Sequence, residues 1–467
     1  MKLNRKLNMN QRANKVILLG LIMFMMTGGL IAQKAWTLRE CIEYALENNL
    51  QVQKSDLNAK VSKVDLLQSK LDFLPSLNGN SSYTYNWGLA VDNTSLTTSS
   101  KDEQAFFSAS ANLTLFNGLQ KVNTLKKAQL DYLSNKYDSD KIRDDIALQV
   151  AISYLNVLFN TELVEKNKVQ LDVTHIQIFN TEKLVSAGTV PKGDLLEILS
   201  QKATEEVTLI NSENLLALAY LDLIQLLELD GGTDFEIEQP SLNVGSLNSN
   251  NSISGIYDAA LEHLPQIKSA ELKLSSAMRG ISIAKGGRSP ILTANGGWNT
   301  YYSTQVKDRY FDPVTETVIV GDIIPFSNQF GDHQNWSLRL NLSIPIFNSY
   351  QVSSNISRSK ILAESANLDL EQEKNNIRKN IEQAYTDAIA SYKTYNPNIK
   401  AVDAAKEAFK YMEQKFNVGL ENSLNYNIAK VNLQKAESDL ISAKYDYIFK
   451  TKILDFYQGN PLTLNEN

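Results

Sequence analysis

Catalytic and redox chemistry has little to work with in this chain. Its 467 residues contain one cysteine, Cys41, and three histidines, His175, His263 and His333. A lone cysteine forms no internal disulfide. The histidines are far apart, and none has a second His or a Cys at metal-ligand spacing, so isolated histidines are expected and no metal site. Gly286-Gly287 and Gly296-Gly297 do not form a phosphate loop, and no Gly-x-x-x-x-Gly-Lys occurs. Nothing has the pattern of a nucleophile elbow. The paired acids Asp144-Asp145 and Glu205-Glu206 fall in helical patterns and read as solvated faces. These absences make an enzyme the weakest class and imply no cofactor. Basic residues are not in excess either: 46 Lys and Arg against 52 Asp and Glu argue against a nucleic-acid partner.

One long apolar run is present, at the N-terminus. Lys2, Arg5, Lys6, Arg12 and Lys15 form a basic stretch without an acid, and an apolar run follows from Val16 to Ile31. That order is a secretory signal peptide over residues 1–32, with Ala32 the last residue removed. An uncleaved anchor is the alternative, since the run is almost long enough to span. Cleavage takes five cations and no acid, moving the net charge from −6 to −11. Cys41 lies well past that point without a small-residue lead-in, so it reads as a buried small hydrophobe rather than a lipid attachment site. No other segment reads as a continuous apolar span. An exported chain of this kind is either periplasmic or embedded as a barrel.

Four segments with period-two alternation favour the barrel. Leu77, Gly79, Tyr83, Tyr85 and Trp87 share one face of the first, against Asn78, Asn80, Ser82, Thr84 and Asn86. Phe107, Ala109, Ala111, Leu113 and Leu115 do so in the second, and Leu292, Ala294, Gly296, Trp298 and Tyr302 in the third. Trp336, Leu338, Leu340, Leu342 and Ile344 form the fourth. Strands are expected at about 76–88, 105–116, 291–302 and 335–345, near the length of a tilted membrane strand. Aromatics sit toward their ends, as in membrane-barrel girdles. Four strands are too few to close a membrane barrel, so they must be pooled from several chains.

The strands come in two pairs, and so does the rest. Ala45-Leu46-Glu47 recurs as Ala260-Leu261-Glu262 and Pro75-Ser76-Leu77 as Pro290-Ile291-Leu292, each offset by 215 residues. Leu115-Phe116-Asn117 pairs with Ile346-Phe347-Asn348 and Gly188 with Gly419, offset by 231. The chain therefore reads as a first repeat over 33–229, a polar linker over 230–254, a second repeat over 255–458 and a tail over 459–467. The difference in offset is absorbed between strands, where residues 303–331 form a longer loop than 88–104. Long helical patterns without proline follow each strand pair, over 118–186 and 349–396. Leu433, Ala436, Leu440, Ala443 and Tyr447 step by three and four as in a coiled-coil seam. Glycines at Gly188 and Gly419 mark the helix reversals.

With these features in place the sequence resembles the TolC family of outer-membrane efflux and secretion channels, over essentially the whole exported chain. The carriers are the stretch Thr37 to Asn49, Leu74-Pro75-Ser76-Leu77, Leu115-Phe116-Asn117-Gly118, Pro345-Ile346-Phe347-Asn348 and the two reversals. The resemblance implies a mainly α fold with a membrane β-barrel contribution. Three chains would share a twelve-stranded barrel that continues into a periplasmic α-barrel. It also implies a homotrimer in outer-membrane lipid, docked to a periplasmic adaptor and an inner-membrane pump, passing solutes passively for efflux or type I secretion. Val185, Gly188, Phe416, Gly419 and Leu420 would form the docking tip. Well-known members carry ringed aspartates after the second reversal; the matching positions here are Asn425 and Ile428, and Asp194 and Glu421 are acidic nearby. A narrow constriction, polar and apolar, is therefore expected from these four rather than a cation-binding ring. The rival is a periplasmic coiled-coil adaptor or scaffold without its own pore, which would leave the lipid-compatible strand faces without a purpose.

Overall fold

The computed structural model describes residues 35–92, 95–230, 235–240, 242 and 252–464. The expected signal peptide and much of the expected linker lie outside them. Each repeat begins with two short helices whose ends are set by local chemistry. Thr37 opens α1 (Leu38–Asn48) through a capping box with Glu40. Asn49 then caps α2 (Leu50–Leu71) with its side chain. Ser252 caps α5 (Ile253–His263) in the second repeat, and Pro265 starts α6 (Pro265–Gly286), where its missing N–H costs nothing.

Strands β1 (Ser76–Asp92), β2 (Ser95–Phe116), β3 (Ile291–Ser303) and β6 (Asn335–Ser343) form one antiparallel sheet in the order β1-β2-β3-β6. Registers include Leu77 opposite Ala111, Phe107 opposite Thr300 and Trp298 opposite Trp336. Two expected loops are structured instead. Backbone pairing carries the first hairpin on through Trp87–Lys101 and Gly88–Ser100, because a ladder of peptide groups needs no apolar face. Residues 303–331 hold a separate hairpin, β4 (Lys307–Asp312) with β5 (Thr317–Ile323), and a short helix α7 (Phe326–Asp332).

From the sheet, α3 (Gln120–Ser186) and α8 (Gln351–Asn417) run 67 residues each, about 100 Å at 1.5 Å per residue. They return as α4 (Lys192–Leu227) and α9 (Ser423–Tyr457). The long patterns are therefore single helices. The second continues past the proline-free stretch through Pro397, whose ring removes one backbone donor. Leu119 and Tyr350, both left-handed (φ 62° and 64°), make equivalent strand-to-helix corners. Beside the first corner, the backbones of Gly118 and Gly286 pass so closely that a Cβ on either would collide with the other.

Two equivalent apolar cores lie midway along the helices. Cys41, Ala45, Val52, Ile146 and Val150 in the first match Ile256, Ala260, Ile267, Ile377 and Ile381 in the second. Cys41 is fully buried, and burial pushes its thiol up to about 12, so it is unreactive. Part of the expected linker joins the first core. Phe235 and Ile237 are buried there, with Trp36 N–H donating to Glu236 O and Glu238 N–H to Trp36 O, both at 2.9 Å. The polar composition of 230–254 concealed these two apolar residues. Leu462 and Leu464 of the tail pack on the same core.

Candidate functional site

Two ends of the molecule carry the candidate functional surfaces. At the sheet end, paired residues point the same way, so register fixes each face. Leu77, Tyr83, Phe107, Ala109, Ala111, Leu113, Leu292, Ala294, Trp298, Trp336, Leu338 and Leu340 share one side. Asn78, Asn80, Ser108, Ser110, Asn112, Asn295, Asn299, Arg339 and Asn341 share the other. The apolar side is open to its surroundings, with Leu338 81 % and Trp336 76 % exposed. In water such a strip would be an aggregation hazard; in lipid it is the required outer face. Both sheet edges, β1 and β6, lack a partner strand among the described residues. An unpaired edge is untenable in hydrocarbon, so both must be joined to further strands.

The opposite end is built from two helix reversals with the same geometry. Gly188 and Gly419 are left-handed (φ 72° and 75°), as only glycine does at little cost. Gly188 N–H donates to Val185 O and Thr189 N–H to Leu184 O, while Gly419 N–H donates to Phe416 O and Leu420 N–H to Lys415 O. Each is a Schellman-type closure. Gly188 and Gly419 face open space, and Leu420 is 77 % exposed. Val185 is half-buried. Phe416 differs from the other tip residues: it is buried against Ile198 and Tyr426, its ring 4.9 Å from that of Tyr426. It holds the two hairpins together and offers no surface.

The four residues expected at the constriction fall into two groups. Asn425 and Ile428 line a groove of about 460 Å³ between α8 and α9, with Ala404, Ala405, Ala408 and Met412. Glu421 joins them by accepting from the Asn425 amide at 2.7 Å. That bond, with the Asn422 N–H, holds its carboxyl below the usual range. Asp194 stands apart on α4, accepting from the Ser423 hydroxyl at 2.9 Å beside Glu197 at 2.5 Å.

Farther up the tip half lies a feature that sequence reasoning missed. Glu205 is not on a solvated face: its carboxylate pairs with Lys430 Nζ at 2.9 Å, both side chains 3 % exposed. Thr174 hydrogen-bonds both partners, and Gln201 donates to Glu205 at 3.1 Å. Burial lowers the Lys430 ammonium against the opposing pull of Glu205. Glu206 does lie outside, paired with Lys202 at 3.2 Å. The signal was the spacing Asn167, Gln170, Thr174, Gln177, Thr181 on α3, a seam repeat made wholly of polar residues, all buried. Among the described residues no group of three metal-ligating side chains gathers.

Helices α3 and α4 each contain a window long and apolar enough to cross a membrane by length and composition. The α3 window is half buried within the chain, whereas the α4 window is only 17 % buried. Leu196, Leu199, Val207, Ile210 and Leu218 of α4 lie exposed.

The comparisons with known proteins agree with this arrangement. The chain matches the family described as "Outer membrane efflux protein" over residues 41–228 and 256–458, one stretch for each repeat. It is 23 % identical over 441 residues to the outer membrane protein TolC of Escherichia coli (strain K12), covering 93 % of this chain and 83 % of that protein. Among solved structures, the Campylobacter jejuni CmeC outer membrane channel superposes with a TM-score of 0.75 at 15 % identity, covering 92 % of this chain and 87 % of that one. The outer membrane protein VceC of Vibrio cholerae superposes with a TM-score of 0.73 at 15 % identity, covering 91 % and 96 %. The chain belongs to the outer membrane efflux protein family: it is an outer-membrane channel component of efflux systems, with strands in the membrane and helices in the periplasm.

Proposed function

We propose that three copies join β6 of one to β1 of the next, antiparallel, so that three sets of four strands close a twelve-stranded barrel. Closure satisfies every backbone group in lipid and turns the Asn- and Ser-rich face into a wet lumen. The three sets of long helices continue as a periplasmic tunnel, with the exposed leucines of α4 covered by neighbouring copies. Solute moves passively through it, and energy comes from an inner-membrane pump reached through a periplasmic adaptor. Val185, Gly188, Gly419 and Leu420 are the docking residues, with Phe416 as their internal support. Asp194, Glu421, Asn425 and Ile428 form the constriction, which opens when the two reversals shift relative to each other.

One observation carries this reading: an open-edged sheet with a largely exposed apolar face stands at the end of helices about 100 Å long. The assembly is tested by mild-detergent extraction. A trimer that falls to monomer on heating is expected; a monomeric, water-soluble mature protein overturns the reading. The gate is tested by engineered disulfides that lock the two reversals together. Export should stop while trimer assembly is unchanged, and undiminished export rejects this gate. Cys41 is buried and leaves the added cysteines free to pair with each other.

A further inference from the structure

The extra length of the second repeat lies between β3 and β6, and part of it returns to the sheet. Helix α7 packs on the apolar side. Phe330 lies edge-on to Phe107 and Trp298 at 5.5 and 6.0 Å, and Phe326 meets Tyr302 at 5.5 Å. Thr300, a hydroxyl set in the apolar column, is wholly buried beneath the helix and donates to Phe330 O at 2.8 Å. Buried Gln329 donates to Ser303 O and Ile324 O and accepts from Ser303 N–H. Just past the helix, where the chain turns toward β6, His333 stacks at 4.1 Å on Tyr301, whose side chain belongs to the opposite face of the sheet. This helix is fastened to the outside of the barrel wall.

Its two sides differ. Phe326, Gln329 and Phe330, at i, i+3 and i+4, face the sheet. Ser327, Asn328, Gly331 and Asp332 are exposed on the other side. The height of the helix follows from the strand beneath. Ten steps from Leu292 to Tyr302, at roughly 3.3 Å each and tilted about 40°, rise about 25 Å, the height of an outer-membrane apolar band. Trp298 to Tyr302 form the end of that rise farthest from the periplasmic helices. Tyr83, Tyr85 and Trp87 on β1 and Trp336 on β6 are exposed aromatics at or just beyond the same level.

We propose that α7 is a collar seated in the headgroup layer of the outer leaflet. Its aromatic side shields the middle of each chain's sheet, and Ser327, Asn328 and Asp332 meet the polar headgroups. The occupant is a lipid surface because the helix interrupts a face that is lipid-contacting on either side of it. Asn328 and Asp332 would be costly in hydrocarbon, which places them at the boundary. A seven-residue helix is also far too small for a stable protein interface, which needs about 1,000 Å². The collar would fix how deeply the barrel sits.

The inference rests on the barrel reading, and one experiment separates the two. Nitroxide labels are placed by Ser327→Cys, Asn328→Cys, Leu340→Cys and Thr315→Cys in the full-length assembled protein in phospholipid vesicles. Accessibility to oxygen and to a water-soluble nickel chelate is then measured. At Leu340 oxygen should dominate; if it does not, the barrel reading itself fails. At Thr315, in the outer hairpin, the chelate should dominate. The labels at 327 and 328 should give oxygen-to-chelate ratios between these two. With Leu340 in lipid, ratios at 327 and 328 equal to that at 315 would put α7 in free water, and ratios equal to that at 340 would put it in hydrocarbon. Either result overturns the collar.

Discussion

The two halves of α3 are one helix built on opposite chemistry. Near the middle of the molecule its seam is Ile146, Val150, Tyr154 and Val157, closed into an apolar core with α1 and α4. Toward the tip the same seam continues as Asn167, Gln170, Thr174, Gln177 and Thr181, all buried. Apolar packing is non-directional and dense, so the middle resists small shifts. A buried polar seam is held by discrete bonds: Asn167 to Ser212 at 3.1 Å, Tyr426 to Gln177 at 3.4 Å, and the Lys430–Glu205 pair. Such a seam specifies register at a cost in stability. It can release one arrangement and adopt another without baring a hydrophobic core. Elements that move are drawn from the less stable parts of a structure, and the polar seam makes the tip half the expected one here.

Breaking the ion pair tests this contrast most severely. Lys430→Ala leaves Glu205 buried without its cation and should cost about 3–5 kcal/mol, the range for halving a buried pair. Hydrogen exchange should show protection lost in the tip halves of α3, α4 and α9 while both middle cores keep theirs. Replacing both partners, Lys430→Met with Glu205→Leu, should recover most of the loss. Protection falling equally in the middle would make the two regions one cooperative unit and end the distinction.

A smaller change pushes the other way. The Thr181 hydroxyl is fully buried with no partner among the described residues. Thr181→Val keeps the shape and removes a desolvated polar group, so the tip should gain about 1–2 kcal/mol. Slower exchange in distal α3 together with reduced export would show that the polar seam serves opening. Slower exchange with unchanged export would show that it does not.

The smallest effect concerns the middle. Burial, then the neighbouring charges of Asp140 and Asp145, push the Asp144 carboxyl up to about 6. The folded chain thus holds this proton more tightly than the unfolded chain. The associated stability is full below pH 3.8 and is lost as pH rises through about 6. Asp144→Asn should therefore raise neutral-pH stability by about 1 kcal/mol once solvent screening is allowed for. It should also flatten the thermal-unfolding profile between pH 4 and 6. An unchanged profile would place the pH dependence elsewhere.

The repeat, the strands and the reversals were legible because each leaves a periodic or positional mark. Alternation such as Leu338, Leu340, Leu342 has no other ready cause, and Gly188 and Gly419 stand at matching places. The hairpin over 307–323 and α7 were not legible. The contacts of α7 reach back to Phe107, more than two hundred residues earlier, and the hairpin pairs only with itself through polar and charged residues that looked like loop. Glu205 misled for a related reason. On its own helix it reads as a surface acid, and only Lys430, more than two hundred residues later, makes it a core residue. Phe416 was placed at the tip from its position beside Gly419, but an aromatic beside a reversal can turn inward, and here Tyr426 receives it. Among the residues expected at the constriction, sequence position alone could not separate Asp194 from the group formed by Glu421, Asn425 and Ile428.

The close passage of Gly118 and Gly286 bears on where movement can occur. Two peptide backbones lie against each other there because neither residue carries a side chain, at the joint where strands become tunnel. A joint that tight resists tilting at the corner where the first repeat's strand becomes helix. If the far end widens as proposed, the expected places to absorb the movement are along the rods themselves, in the polar seam of α3 or at Pro397 in α8.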